Sequence, residues 1–199
     1  MDYIDSLELK RKILHMLVGI SALLLLIYNI ITPLIIFIVL IAGIFVSLLS
    51  LKIRIPLISW FLDNFERDKD KNRLPGKGVI FAFIGVLLVL QLFEKNIALA
   101  SLAILTFSDS ISLLIGKYFG KTKSILNKNK NIEGTIAGIL IGPIFACFFV
   151  PFYLAFAGSL TAGISELLTI KIGNIKIDDN LIIPLAAGTI IFLIGRFLA

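Results

Sequence analysis

Apolar residues in this chain come in blocks about as long as a bilayer is thick, and the polar residues gather between them. Residues 13–31 are apolar apart from His15, Ser21 and Asn29. Thr32-Pro33 interrupts the run, and Pro33 is suited to open a second helix reaching about Leu51. Residues 79–93 and 97–115 are two further blocks on either side of Glu94-Lys95-Asn96. Residues 135–170 carry one charge, Glu166, in 36 positions. That is room for two minimal spans with a turn near Pro151 or Gly158. Residues 181–199 form the last block. The pattern predicts an all-α, polytopic transmembrane bundle of about seven spans, with residues 1–199 as a single integral-membrane domain.

The polar connections differ in kind. Residues 1–12 end in Lys10-Arg11-Lys12. Residues 52–77 hold seven Lys or Arg and four acids, and their first half has an apolar, aromatic stripe (Ile55, Leu57, Ile58, Trp60, Phe61, Leu62, Phe65). Such a stripe suits a helix lying in the membrane interface. Residues 116–134 contain Gly116, Gly120 and five lysines. With the N-terminus inside, the inner connections hold three, seven, five and two Lys or Arg, leaving only Lys95 and Arg196 outside. Positive charge collects on the cytoplasmic side of membrane proteins, so the N-terminus is expected in the cytoplasm and the protein in the cell membrane (the endoplasmic reticulum in a eukaryote).

Composition strengthens this picture. The 199 residues are 58% hydrophobic and 16% charged, with mean hydropathy +1.02. Soluble domains are about 25% charged. The net charge of +6 sits in loops between apolar blocks, where topology explains it without nucleic acid. Cys147 is the one cysteine, which excludes an intrachain disulfide and fits an inert core or lipid-facing thiol. No cleavable signal peptide is expected.

The same topology sorts the acids by depth. The fourth span runs inward, which puts Asp109 one to two turns from its cytoplasmic end. Glu133 sits at the start of the fifth, Glu166 near the inner end of the sixth, and Asp178-Asp179 at the start of the seventh. Arg11 and His15 flank the mouth of the first. The acids of the last four spans therefore share one level with the lysine-rich connection. Ionised residues inside a span are costly and usually functional. Hard cations take carboxylate, phosphate and water oxygens, and phosphoryl transfer needs mainly positioning and charge neutralisation. The pattern points to a metal-nucleotide site at the cytoplasmic surface, with a second substrate drawn from the bilayer.

Each residue also has a plainer reading. Asp109 can be a buried acid paired for packing, the lysines a topology signal, and Glu166 an acid that snorkels to water. Asp178 can cap the last helix, and His15 can be a helix-contact residue. Gly116 to Thr122 approaches a P-loop but has three residues between its glycines where that motif has four. Dinucleotide, Cys/His-metal and serine-hydrolase motifs are absent from the sequence.

The series Asp109-x-x-Ser112-x-x-x-Gly116-x-x-x-Gly120, then lysines, then Glu133-Gly134-Thr135, resembles the cytidine-nucleotide motif of the dolichol kinase and phytol kinase family. Arg11-Lys12-Ile13-Leu14-His15 resembles that family's opening Arg-Lys-x-x-His. Glu166 with Asp178-Asp179-Asn180-Leu181 and Pro184 resembles its C-terminal acid and Asp-Asn-Leu stretch. The resemblance implies a CTP-dependent kinase acting on a long isoprenoid alcohol, with Mg²⁺ or another divalent cation. Carried over, Asp109, Glu133 and Asp179 would hold the metal. Ser112, Gly116, Gly120, Lys121, Lys128, Lys130, Glu133, Gly134 and Thr135 would form the nucleotide site. Asp178, Asp179 or Glu166 would supply a further ligand or the base, and Arg11, His15 and Asn180 would complete the site.

Two other classes fit parts of the pattern. A cytidylyltransferase making a CDP-activated lipid also brings CTP, metal and lipid together, but its signature ends in His-Gly-Gly and His15 is the only histidine. A transporter would place acids near mid-membrane around a pathway. Here they gather at one face.

Overall fold

The computed structural model describes residues 3–66, 68–71, 74–168, 170–172 and 175–197. The elements in order are α1 (Tyr3–Ile27), α2 (Pro33–Ser50), α3 (Pro56–Phe65), α4 (Asp68–Lys71), α5 (Lys77–Leu92), α6 (Lys95–Tyr118), α7 (Ile132–Ala146), α8 (Phe152–Leu167), β1 (Lys171–Ile172), β2 (Ile175–Lys176) and α9 (Asp179–Phe197). Each of the seven apolar blocks is a helix, the amphipathic stripe is α3, and the turn between α7 and α8 falls at Pro151. The polar stretch after α8 adds a two-residue antiparallel ladder, with Lys171 opposite Lys176. Three helices, α2, α6 and α9, are individually long and apolar enough to cross a membrane. Helices α5, α7 and α8 have 16, 15 and 16 residues, which at 1.5 Å per residue is shorter than the roughly 30 Å hydrocarbon layer.

The largest departure from expectation is at the front. Helix α1 begins at Tyr3, so Lys10, Arg11 and Lys12 are helical rather than part of a polar tail. It also ends earlier than expected. Asn29 adopts φ 55°, and Ile30 N–H bonds back to Leu25 C=O at 2.9 Å, a left-handed stop of the kind Asn tolerates. Thr32 then caps α2 through Ile35 N–H at 3.4 Å.

Helix α6 is the centre of the bundle. Every residue from Ala98 to Thr106 on it is buried. One core joins its Ala100 and Ile104 to Leu154, Ala155, Ile183 and Ile191 of α8 and α9. The other joins Leu99, Leu102 and Ala103 to Leu23 and Leu26 of α1, Ile36 of α2 and Val89 of α5. Between lipid-facing helices there is no water to expel, so association depends on close packing of small side chains. The alanines and serines of α6 supply them.

The contact of α7 with α6 is the closest. Gly134, Gly138 and Gly142 repeat every four residues and face Ser108, Ser112 and Gly116. A Cβ on Gly134 would lie 2.8 Å from Gly116 Cα, and one on Gly138 would lie 2.8 Å from Ser108 O. Pro143 sits inside α7 and cannot donate to Ile139 C=O. Ser159 Oγ of α8 donates to that carbonyl instead, at 3.1 Å, satisfying a backbone group that the proline leaves without its helical donor. Cys147, just past α7, is exposed.

Candidate active site

Asp109 lies on the third turn from the end of α6 and is only 2% exposed. Its Oδ2 is in direct contact with the ammonium of Lys12 from α1, and His15 Nε2 stands 3.8 Å from the same oxygen. Lys12 and His15 are one turn apart, so a single face of α1 presents both. Asp109 Oδ1 is buried and has no hydrogen-bond partner among the described residues. A buried carboxylate is tolerated only when paired, and here the pairing uses one oxygen and leaves the other available.

The second half of the site is built on Lys130. Its ammonium contacts Glu166 Oε1 of α8 directly and lies 3.8 Å from Asp179 Oδ2 of α9. Ser112 Oγ, one turn beyond Asp109, donates to Glu166 Oε1 at 3.2 Å. Burial favours the neutral amine of Lys130, but the carboxylates of Glu166, Asp109 and Asp179 outweigh it and raise its pKa above the ordinary lysine value. Three acids distant in sequence thus share one cation.

The loop between α6 and α7 fixes that cation. Ser124 N–H bonds to Lys130 C=O at 2.9 Å, and Lys130 N–H to Asn127 C=O at 2.9 Å. Glu133 Oε1 accepts Lys121 N–H at 3.1 Å and Thr122 N–H at 2.9 Å. The Asn131 side-chain amide donates to Gly116 C=O, and Thr135 Oγ1 donates to Asn131 C=O at 3.4 Å. Gly120 leaves room for Asn131, since a Cβ there would lie 2.6 Å from Asn131 Cβ. Lys130 is turned inward, whereas Lys121, Lys123 and Lys128 are exposed.

The start of α9 closes the site. Asp178 Oδ1 accepts Asn180 N–H at 3.1 Å, an acid serving the first turn of a helix. Asn180 Nδ2 donates to Gly78 C=O of α5 at 3.1 Å. Arg11 pairs with Glu8 one turn earlier on α1, at 3.2 Å, so Lys12 rather than Arg11 reaches Asp109. Lys12 stands in the Arg-Lys-x-x-His series, but no role for it followed from the sequence. Its spacing from His15 was the available signal.

A cavity of about 770 Å³ opens at these residues. Its head is polar, with Glu8, Arg11, Lys12, His15, Glu66, Asp109, Asp178, Asp179 and Asn180, and its body is mainly apolar, running along α1, α2, α5 and α6. Lys130 and Glu166 lie outside its walls. Asp109 and Asp179 therefore stand between two compartments. One is the cavity and the other is the Lys130 loop.

Sequence reasoning placed Asp109, Glu133 and Asp179 around one metal. Among the described residues no three of His, Cys, Asp and Glu come together as a metal cage; Glu133 gives Oε1 to the loop amides and keeps its buried Oε2 without a hydrogen-bond partner. The donor set does fit Mg²⁺ in its usual nucleotide mode, where one or two carboxylates hold an ion otherwise coordinated by phosphate and water. The unpartnered Asp109 Oδ1 is such a donor.

Fold and site together define a class: a helical protein with membrane-length apolar helices that gathers acids and lysines at the head of an apolar cavity. The chain is 33% identical over 196 residues to an uncharacterized protein of Methanocaldococcus jannaschii, covering 92% of each, and it belongs to the same family as that protein. It is 27% identical over 146 residues to CTP-dependent diacylglycerol kinase 1 of Schizosaccharomyces pombe, covering 64% of each. Its match to the Saccharomyces cerevisiae protein of the same name is 27% over 137 residues, covering 56% of this chain and 46% of that one. The chain thus spans about two thirds to one half of the length of these kinases. No family model and no solved structure matches it.

Proposed function

We propose that this protein is a CTP-dependent kinase of a membrane lipid alcohol. The observation that carries the reading is the position of Asp109 and Asp179, which line the cavity and also neighbour Lys130. One compartment suits the phosphates and the other suits a lipid. Similarity to kinases that use CTP supports the choice of nucleotide.

In this reading the triphosphate lies against Lys130 and the loop 119–131, with Lys12 on its other flank. The lipid hydroxyl comes from the cavity to the terminal phosphorus, in line with the departing CDP. The hydroxyl oxygen forms the new P–O bond, the bond to the β-phosphate oxygen breaks, and the hydroxyl proton passes to the Asp179 carboxylate. Lys12 and Lys130 stabilise charge on the transferred group. Asp109 would hold Mg²⁺, which neutralises the phosphates when bound. The lysine-rich loop and the excess of Lys and Arg in the connections at the same end support a site facing the cytoplasm.

Two acceptors deserve comparison. The motif resemblance favours a long isoprenoid alcohol such as a polyprenol or phytol. The yeast relatives, named as CTP-dependent diacylglycerol kinases, favour diacylglycerol. Protein purified in detergent with Mg²⁺ and offered both alcohols with a panel of nucleotides decides between them by product mass. Release of CDP with a phosphorylated lipid supports the kinase. Release of pyrophosphate with a CDP-lipid would replace it with the cytidylyltransferase.

A further inference from the structure

Helices α1 and α2 are consecutive and joined by only residues 28–32, yet they make no more than marginal contact. Helix α1 packs against α6 and α3, while α2 packs against α5. The cavity occupies the gap. Its side walls include Leu17 and Val18 of α1 and Ile35 and Val39 of α2, and these four are also exposed on the outer surface, at 59%, 54%, 42% and 44%. The floor includes Leu102 and Leu105 of α6, which are buried. Residues that line a cavity and also face outward mark an open seam.

The seam begins at Lys12, His15 and Asp109 and runs along α1 to Leu25. The fourteen residues from Lys12 to Leu25 make about 20 Å of helix, two thirds of the roughly 30 Å of hydrocarbon. A largely apolar slot with one polar end, open along its side at bilayer depth, matches a lipid lying parallel to it; the Ser21 and Thr106 hydroxyls on its wall donate to the Leu17 and Leu102 carbonyls.

We infer that the acceptor lipid enters sideways from the bilayer through the seam between α1 and α2, laying its hydrocarbon tail along α1 with its hydroxyl at Asp109. This deepens the lipid-kinase reading and rests on it. The slot recognises the tail by fit and leaves the nucleotide compartment untouched. Ala22, half-buried on the cavity wall, is where a bulky side chain blocks it.

The test compares Ala22→Trp with Ile38→Trp, which lies on the exposed side of α2 away from the cavity. CDP release is measured with a long-tailed alcohol and with a short water-soluble one. A22W raises the apparent KM for the long-tailed alcohol by about ten-fold or more, with KM for CTP and turnover of the short alcohol unchanged. I38W behaves as the parent. An A22W protein that uses the long-tailed alcohol as well as the parent overturns the seam. A second readout needs no activity: a long-chain alcohol with a photoreactive group at its tail end, crosslinked in vesicles. Label confined to the seam residues of α1, α2, α5 and α6 supports the inference, and label spread over the outer surface of α7 and α8 overturns it. Seam labelling in a protein that releases neither CDP nor pyrophosphate would sink the kinase reading alone.

Discussion

Lys130 Nζ lies 3.8 Å from Asp179 Oδ2, although 49 positions separate the two residues, and the same ammonium contacts Glu166. One side chain from a polar loop thereby joins the ends of α8 and α9 beside the deepest acid of α6. Lys128, two residues away, is exposed. This difference makes the first prediction.

Lys130→Ala should be far more damaging than Lys128→Ala. It leaves Glu166 as a buried charge without its cation, a loss of about 3–5 kcal/mol for a broken buried pair. Expected results are a clear drop in thermal stability in detergent and loss of CDP release, whereas Lys128→Ala, at an exposed side chain, should leave thermal stability unchanged. Equal effects of the two substitutions would remove Lys130 from the site.

Asp109→Asn keeps the shape of the side chain and removes its charge. Lys12 then loses its counter-ion and the phosphates lose their metal-holding oxygen. Phosphoryl transfer should fall by about a thousand-fold, while membrane insertion is retained. Lys12→Ala should reduce transfer more than Arg11→Ala, because Arg11 pairs with Glu8. Product formation by mass, beside membrane fractionation, checks both.

The glycine contact predicts a purely structural effect. Gly134→Ala places a methyl 2.8 Å from Gly116 Cα, and overpacking of this kind costs about 1–3 kcal/mol. Gly43→Ala, inside α2, meets nothing within 4 Å and should leave thermal unfolding unchanged or slightly raised. If the two variants unfold at the same temperature, α6 and α7 are not as close as described.

Ser159 and Pro143 should behave as a coupled pair. Ser159→Ala leaves Ile139 C=O without a donor inside the bundle, at a cost of about 1–3 kcal/mol. Pro143→Ala restores an N–H that can bond to that carbonyl, so Ser159→Ala should cost less in the double variant. A double-mutant cycle on unfolding midpoints measures the coupling, and strictly additive effects would argue against it.

Much of this was legible beforehand because of how apolar blocks behave. A backbone surrounded by hydrocarbon must satisfy its own hydrogen bonds, so seven long apolar blocks become seven helices. Their alternation then brings Asp109, Glu166 and Asp179 to one end. The capping role of Asp178 and the interfacial stripe of α3 were legible for similar local reasons. The front of α1 was misread because three adjacent cations look like the end of a span, whereas a helix can carry them past the apolar surface.

The sequence by itself determined the helices, their order and the end at which the acids meet, since these follow from local composition and from reversing direction at every turn. The tertiary structure alone decided which lysine serves which acid and where α1 parts from α2. Lys12 meets Asp109 across 97 positions and Lys130 meets Glu166 across 36. Such pairings depend on how helices pack in three dimensions, and the spacing of residues along one helix does not contain that information.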